Sequence, residues 1–185
     1  MRAPYTIRVV GDPVLRAAAA EITDIDGRLV KLADDMLETM YEAPGLGLAA
    51  PQVGVGKRLF VYDLDPERRG DPQVLVNPQI VESRGEWAYE EGCLSIPGLS
   101  FEIIRPKEVH LVGHDLDGNE VSIEADELTA RLFQHELDHL DGVLMTERMD
   151  PDTKKTALRE IRALRERLDP PAAATGNGSK GLRFG

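Results

Sequence analysis

The run Asp126-Glu127-Leu128-Thr129-Ala130-Arg131-Leu132-Phe133-Gln134-His135-Glu136-Leu137-Asp138-His139 predicts a helix that opens near Asp126 and carries a His-Glu-x-x-His pattern at its far end. Residues four apart on an α-helix lie one turn above one another on the same face, so His135 and His139 can reach one metal ion without bending the backbone. Glu136 projects about 100° around the axis from His135. Its carboxylate is therefore placed to work beside a metal as a general base rather than to bind it. Leu128, Leu132, His135 and His139 recur at i, i+4, i+7 and i+11 and form one stripe, so the leucines are expected to face the same cavity as the histidines. Gly142 suits a left-handed turn that ends the helix.

The surrounding composition is that of one globular domain. The chain has 185 residues, 42% hydrophobic and 5% aromatic, enough to bury an aliphatic core. No apolar run approaches the length of a membrane span, and the first residues lack the hydrophobic region of a signal peptide, so no membrane and a cytoplasmic location are expected. A net charge of −11 excludes a nucleic-acid-binding surface over most of the molecule. The charge is uneven: from Pro151 to Gly185 there are eight Lys and Arg against four acids. That basic segment is a candidate docking element for an anionic partner such as ribosomal RNA. The single cysteine, Cys93, precludes a disulfide within the monomer and fits a reducing compartment.

Along the chain, 11–16 reads as a turn into a short helix. Leu29, Leu32, Met36, Leu37 and Met40 predict an amphipathic helix from Asp26 to about Ala43, stopped by Pro44-Gly45. Gly45-Leu46-Gly47-Leu48-Ala49-Ala50-Pro51-Gln52 then reads as a glycine-rich turn packed in the core. It matches neither a phosphate loop nor a dinucleotide fingerprint. Gln52 is its odd member, an amide able to donate a hydrogen bond into a dry site. Strands are expected at 58–64 and 74–81 with a polar loop between them, and 85–89 is expected to be extended, with Trp87 as a packing residue. The segment 90–98 is read as breaking the strand pattern. A hairpin of 108–114 and 120–124 turns at Asp117-Gly118. On it His110 and His114 sit about 13 Å apart, too far to share a metal. A last helix is expected from Asp152 to Leu168, burying Leu158, Ile161, Leu164 and Leu168. Residues 1–169 are expected to form one domain, and 170–185 a disordered tail.

A catalytic site of this type takes a third protein ligand beside its two histidines. A histidine six residues after His139 is ruled out, since 145 is methionine. The residues themselves leave two candidates. Glu160, 25 residues after His135, would suit a metallopeptidase that cleaves internal bonds; Cys93, as a thiolate, lies upstream in its glycine-bounded segment. A third reading, a ribosome-associated binding protein with a structural metal, conflicts with an unused base beside an open coordination position.

Three stretches taken together, Gly45 to Gln52, Glu91-Gly92-Cys93-Leu94-Ser95 and His135 to His139, resemble in order and spacing the three motifs of the peptide deformylase family. The resemblance spans residues 1 to about 168. It implies an α+β fold, with antiparallel and mixed sheets packed around the central metal-binding helix, an N-terminal amphipathic helix and a C-terminal helix. It implies one divalent metal on Cys93, His135 and His139, Fe2+ in the cell with Zn2+, Ni2+ or Co2+ as alternatives. The implied reaction removes the formyl group from formyl-methionyl nascent peptides, with Glu136 as general base and acid and with Gln52 and the Leu94 N–H stabilising the oxyanion. Leu46, Gly47, Glu91, Leu128 and Leu132 are the implied substrate-binding residues. A monomer and a transient ribosome contact through the C-terminal helix are the expected assembly and partner. One departure stands out: where many members carry an arginine after the cysteine motif, this chain reads Gly98-Leu99-Ser100-Phe101-Glu102. Arg105 and Asp138 are expected to form a buried ion pair that orients the metal helix.

Overall fold

The computed structural model describes residues 3–168; the expected tail lies outside them. Helix α1 spans Gly27–Glu42, and the Asp26 side chain accepts hydrogen bonds from the N–H groups of Arg28 and Leu29 to cap it, satisfying donors that a helix start leaves free. Its stripe Leu29, Leu32, Ala33, Met36 and Met40 is buried. Seven strands follow: β1 (Gly47–Ala49), β2 (Leu59–Tyr62), β3 (Gln73–Arg84), β4 (Trp87–Gly92), β5 (Ser100–Arg105), β6 (Glu108–His114) and β7 (Glu120–Asp126). Helices α2 (Glu127–Leu140) and α3 (Pro151–Leu168) complete the chain.

The main sheet is antiparallel in the order β1-β2-β3-β6-β7, and β4 and β5 form a separate antiparallel pair. This is the α+β architecture expected, with α2 at its centre. One face of α2 packs Ala130, Phe133, Leu137 and Leu140 against Phe60, Tyr62, Leu75 and Leu111 of the sheet. Phe133 meets Tyr62 edge to face with ring centres 5.2 Å apart, a favoured aromatic geometry. Strand β7 runs into α2 without a loop. The elbow is at Glu127, whose φ of +43° is rare for a side-chain-bearing residue, and its N–H is anchored on the Lys107 carbonyl at 2.8 Å. At the other end Gly142 takes φ +72°, as expected. A side chain there would also press on the backbone of Arg16, 2.7 Å from a Cβ.

Four expectations are corrected. Gly47–Ala49 forms a short edge strand, followed by a 3-10 turn over Ala50–Val53, where a core turn was expected. Glu90–Gly92 continues β4 instead of ending it, and pairs with β5, a strand absent from the sequence reading. Strand β3 extends to Arg84 past an irregularity at Asn77, which has φ +49°. On α3 the buried residues are Ala157, Ile161 and Leu164, whereas Leu158 and Leu168 are each 50% exposed.

Candidate active site

The segment after β4 folds back over α2 and brings Cys93 to the two histidines. Cys93 Sγ lies 3.3 Å from His139 Nε2, which lies 3.2 Å from His135 Nε2. Among the described residues this is the group of side chains arranged to hold a metal, with all three ligand atoms within 4.8 Å of one another. Two nitrogens held by one tetrahedral ion lie about 3.3 Å apart, so the spacing fits, and a thiolate with two imidazoles suits a divalent transition metal. Glu160, the alternative third ligand, is exposed on α3 and takes no part in the group.

Charge within the cluster favours binding. Burial on its own would raise the pKa of the Cys93 thiol, but the positive field of His139 and His135 outweighs it and holds the thiol well below its ordinary value. Burial would likewise lower His135, yet the Cys93 thiolate and the Glu91 carboxylate hold it well above the usual histidine range. Glu136 is different. Burial is the main influence and pushes it up to about 7, and its Oε2 is buried with no hydrogen-bond partner among the described residues. A buried acceptor without a donor is costly, and together with the raised pKa and the adjoining ligand triangle it makes Glu136 the candidate proton acceptor of the site. Gly47 makes the room: a Cβ there would stand 2.5 Å from Glu136 Oε1.

Gln52 is 1% exposed. Its Oε1 accepts the Ala49 N–H at 2.9 Å, which turns the amide nitrogen toward Ser95 Oγ at 3.1 Å and Cys93 Sγ at 3.8 Å. Leu94 lies beside the same cavity. That cavity, about 700 Å3, is lined by Leu46, Gly47, Gln52, Glu91, Cys93, Leu94, Leu128, Leu132, His135 and Glu136. Of its lining leucines, Leu132 is buried and Leu128 is 44% exposed. Every site residue expected from sequence except His139 therefore borders this one space, and His139 meets it through Cys93 and His135.

Glu91 borders the cavity, but its carboxylate is committed to the protein. It accepts from Arg105 Nε and Nη2 at 2.8 and 2.7 Å, from Arg131 Nη1 at 2.8 Å, and bonds His135 Nδ1 at 2.7 Å. These contacts outweigh burial and hold Glu91 well below the usual carboxylate range. Arg105 Nη1 also bonds Asp138 Oδ2 at 2.9 Å, so the ion pair expected from sequence is present, and Arg148 closes on Asp138 from the far side. Arg131 and Arg148 are members that the sequence does not mark out, and Ser95, although it closes the cysteine motif, carries no role there. The i, i+4 spacing of Arg131 to His135 is the one local hint of Arg131.

The sequence model of one family, described as polypeptide deformylase, matches residues 4–155. A peptide deformylase of Acidothermus cellulolyticus is 49% identical over 156 residues, covering 84% of this chain and 84% of that protein. One from Agathobacter rectalis is 51% identical over 147 residues, covering 78% and 89%. Among solved structures, a plant peptide deformylase superposes with a TM-score of 0.85 at 38% identity, covering 91% of this chain and 92% of that one.

Proposed function

The chain belongs to the polypeptide deformylase family, and from that premise we propose that it removes the formyl group from the N-terminal formyl-methionine of nascent peptides, releasing formate. One divalent metal per chain is assigned to Cys93, His135 and His139, Fe2+ in the cell, with Zn2+, Ni2+ or Co2+ as substitutes in isolated protein. When bound, that ion supplies Lewis acidity that brings water to ionise near neutral pH.

The remaining steps belong to the chain. Glu136 Oε2 accepts the proton of the attacking water, then returns it to the amine nitrogen as the C–N bond breaks. The Gln52 amide and the Leu94 N–H donate to the oxyanion that develops on the formyl group. The methionine side chain is assigned to the space bounded by Leu46, Gly47, Glu91, Leu128 and Leu132. Strand β1 pairs with β2 and β4 with β5, and Gly47 of β1 and Glu90, Glu91 and Gly92 of β4 line the cavity, so an extended peptide can add between the two strands. Residues 1–169 act as one catalytic domain in this reading, monomeric and cytoplasmic. Among the described residues no helix is long and apolar enough to cross a membrane. The basic face of α3 is assigned to a transient ribosome contact.

The observation that carries the reading is Glu136 Oε2, without a partner among the described residues, beside the Cys93–His135–His139 triangle in an open cavity. Incubation with a formyl-Met peptide, with formate and free amine both quantified, tests it. Equal amounts of the two are expected; internal cleavage without formate would overturn the proposal.

A further inference from the structure

The two imidazoles of the cluster are not backed alike. His139 Nδ1 is buried without a partner among the described residues, whereas His135 Nδ1 bonds Glu91 Oε1 at 2.7 Å. Among the described residues, the hydrogen bond that can tune the donor strength of an imidazole in this cluster is therefore the one from His135 to Glu91. Glu91 itself is shared. The bidentate grip of Arg105 alone would orient it, yet a second guanidinium, Arg131, also bonds it.

Arg131 is 3% exposed and sits on α2 one turn before His135. Beyond Glu91, its Nη2 donates to the carbonyls of Trp87 on β4 and Ile103 on β5, at 2.7 and 2.9 Å. Its guanidinium carbon lies 5.2 Å from the centre of the Trp87 ring. A fold that needed only to pin the hairpin to α2 has Arg105 and its Asp138 contact for that purpose. What Arg131 adds is a second positive charge on the carboxylate that polarises His135.

We infer that Arg131 is a positioning residue that sets the donor strength of His135 through Glu91. A carboxylate facing one cation draws strongly on the imidazole N–H and makes the opposite nitrogen a better donor. With a second cation on it, that pull is weaker. His135 is then a more moderate ligand, and the metal keeps more of its Lewis acidity for the reaction. The inference rests on the assignment of Cys93, His135 and His139 as ligands; failure of that assignment would appear separately, as protein that does not hold one metal per chain.

The test is the rate at which cobalt-loaded protein gives up its metal to a chelator, read with the visible Co2+ spectrum, in wild type, Arg131→Met and Glu91→Gln. Removing the second cation is expected to slow release, and weakening the acceptor to speed it, each by about tenfold, with Co2+ bands displaced in opposite directions. Arg131→Lys, which keeps the charge but not the fork, is expected to release metal near the wild-type rate. A purely structural Arg131 would instead loosen the site, and release would accelerate in both Arg131→Met and Glu91→Gln. That result, or wild-type rates and bands in Arg131→Met, overturns the inference. Arg131→Gln, which keeps an amide donor for the Trp87 carbonyl, carries the same expectation if the methionine variant does not fold.

Discussion

Glu136 is buried in the wall of the cavity, and its Oε2 has no hydrogen-bond partner among the described residues. Burial lifts its pKa to about 7 without a metal, and an adjacent dication draws it down from there. A base works only when ionised, so activity is present above that pKa and is lost as pH falls through it. The acid limb of kcat/KM is accordingly expected below pH 7. In Glu136→Gln kcat should fall about 10²–10⁴-fold while metal content stays at the wild-type level. Near-normal turnover in that variant would contradict the assignment. At this scale the sequence was readable wherever the chemistry was local. His135, Glu136 and His139 share one helical turn, and their geometry follows from its pitch. Arg131 was not readable, because its partner Glu91 lies 40 positions away. Without that carboxylate, an arginine in a helix reads as a solvated charge.

Elements were legible in proportion to the regularity of their apolar residues. Helix α1 buries the leucines and methionines that its periodicity marks, with Leu37 partly buried beside them. The β4–β5 pair was obscured because Glu90 and Glu102 stand opposite one another in register, and like charges on facing strands argue against a pairing. The alternation that identifies β5 was nonetheless present: Phe101, Ile103 and Arg105 are buried and their neighbours exposed. On α3, 100° per residue puts Ala157, Ile161 and Leu164 within one narrow stripe and Leu158 outside it. Leucine content favours Leu158, yet helix geometry buries the smaller Ala157, and Leu168 is exposed at the helix end. The contact that joins these elements is Arg105, which ties β5 to Glu91 on β4 and to Asp138 on α2. Arg105→Met leaves two buried carboxylates short of a partner. Breaking such a pair costs about 3–5 kcal/mol, measurable by denaturant unfolding, and metal retention should fall with it. Unchanged stability and metal content would remove Arg105 from the account.

For the whole molecule, the site is a junction. Helix α2 gives two histidines and Glu136, the segment after β4 gives Cys93 and Leu94, and β1 with the turn after it gives Gly47 and Gln52. The junction emerged from the sequence only through three motifs considered together, since neither periodicity nor spacing brings residue 52 to residue 93. Charge is separated on the same scale, an acidic body with α3 carrying Arg162 and Arg165 on exposed positions. If α3 meets the ribosome, reversing both to glutamate should reduce co-sedimentation with ribosomes and make the residual binding less salt-dependent. Equal co-sedimentation would assign that face to solvent alone. The central claim, formyl removal at a metal held by Cys93, is tested by protein prepared anaerobically, counted for metal and assayed for formate release from a formyl-Met peptide, as wild type, Cys93→Ala and Glu160→Ala. Wild type and Glu160→Ala are predicted to hold about one metal per chain and to release formate, with both properties lost in Cys93→Ala. Formate release that survives in Cys93→Ala and disappears in Glu160→Ala would contradict it.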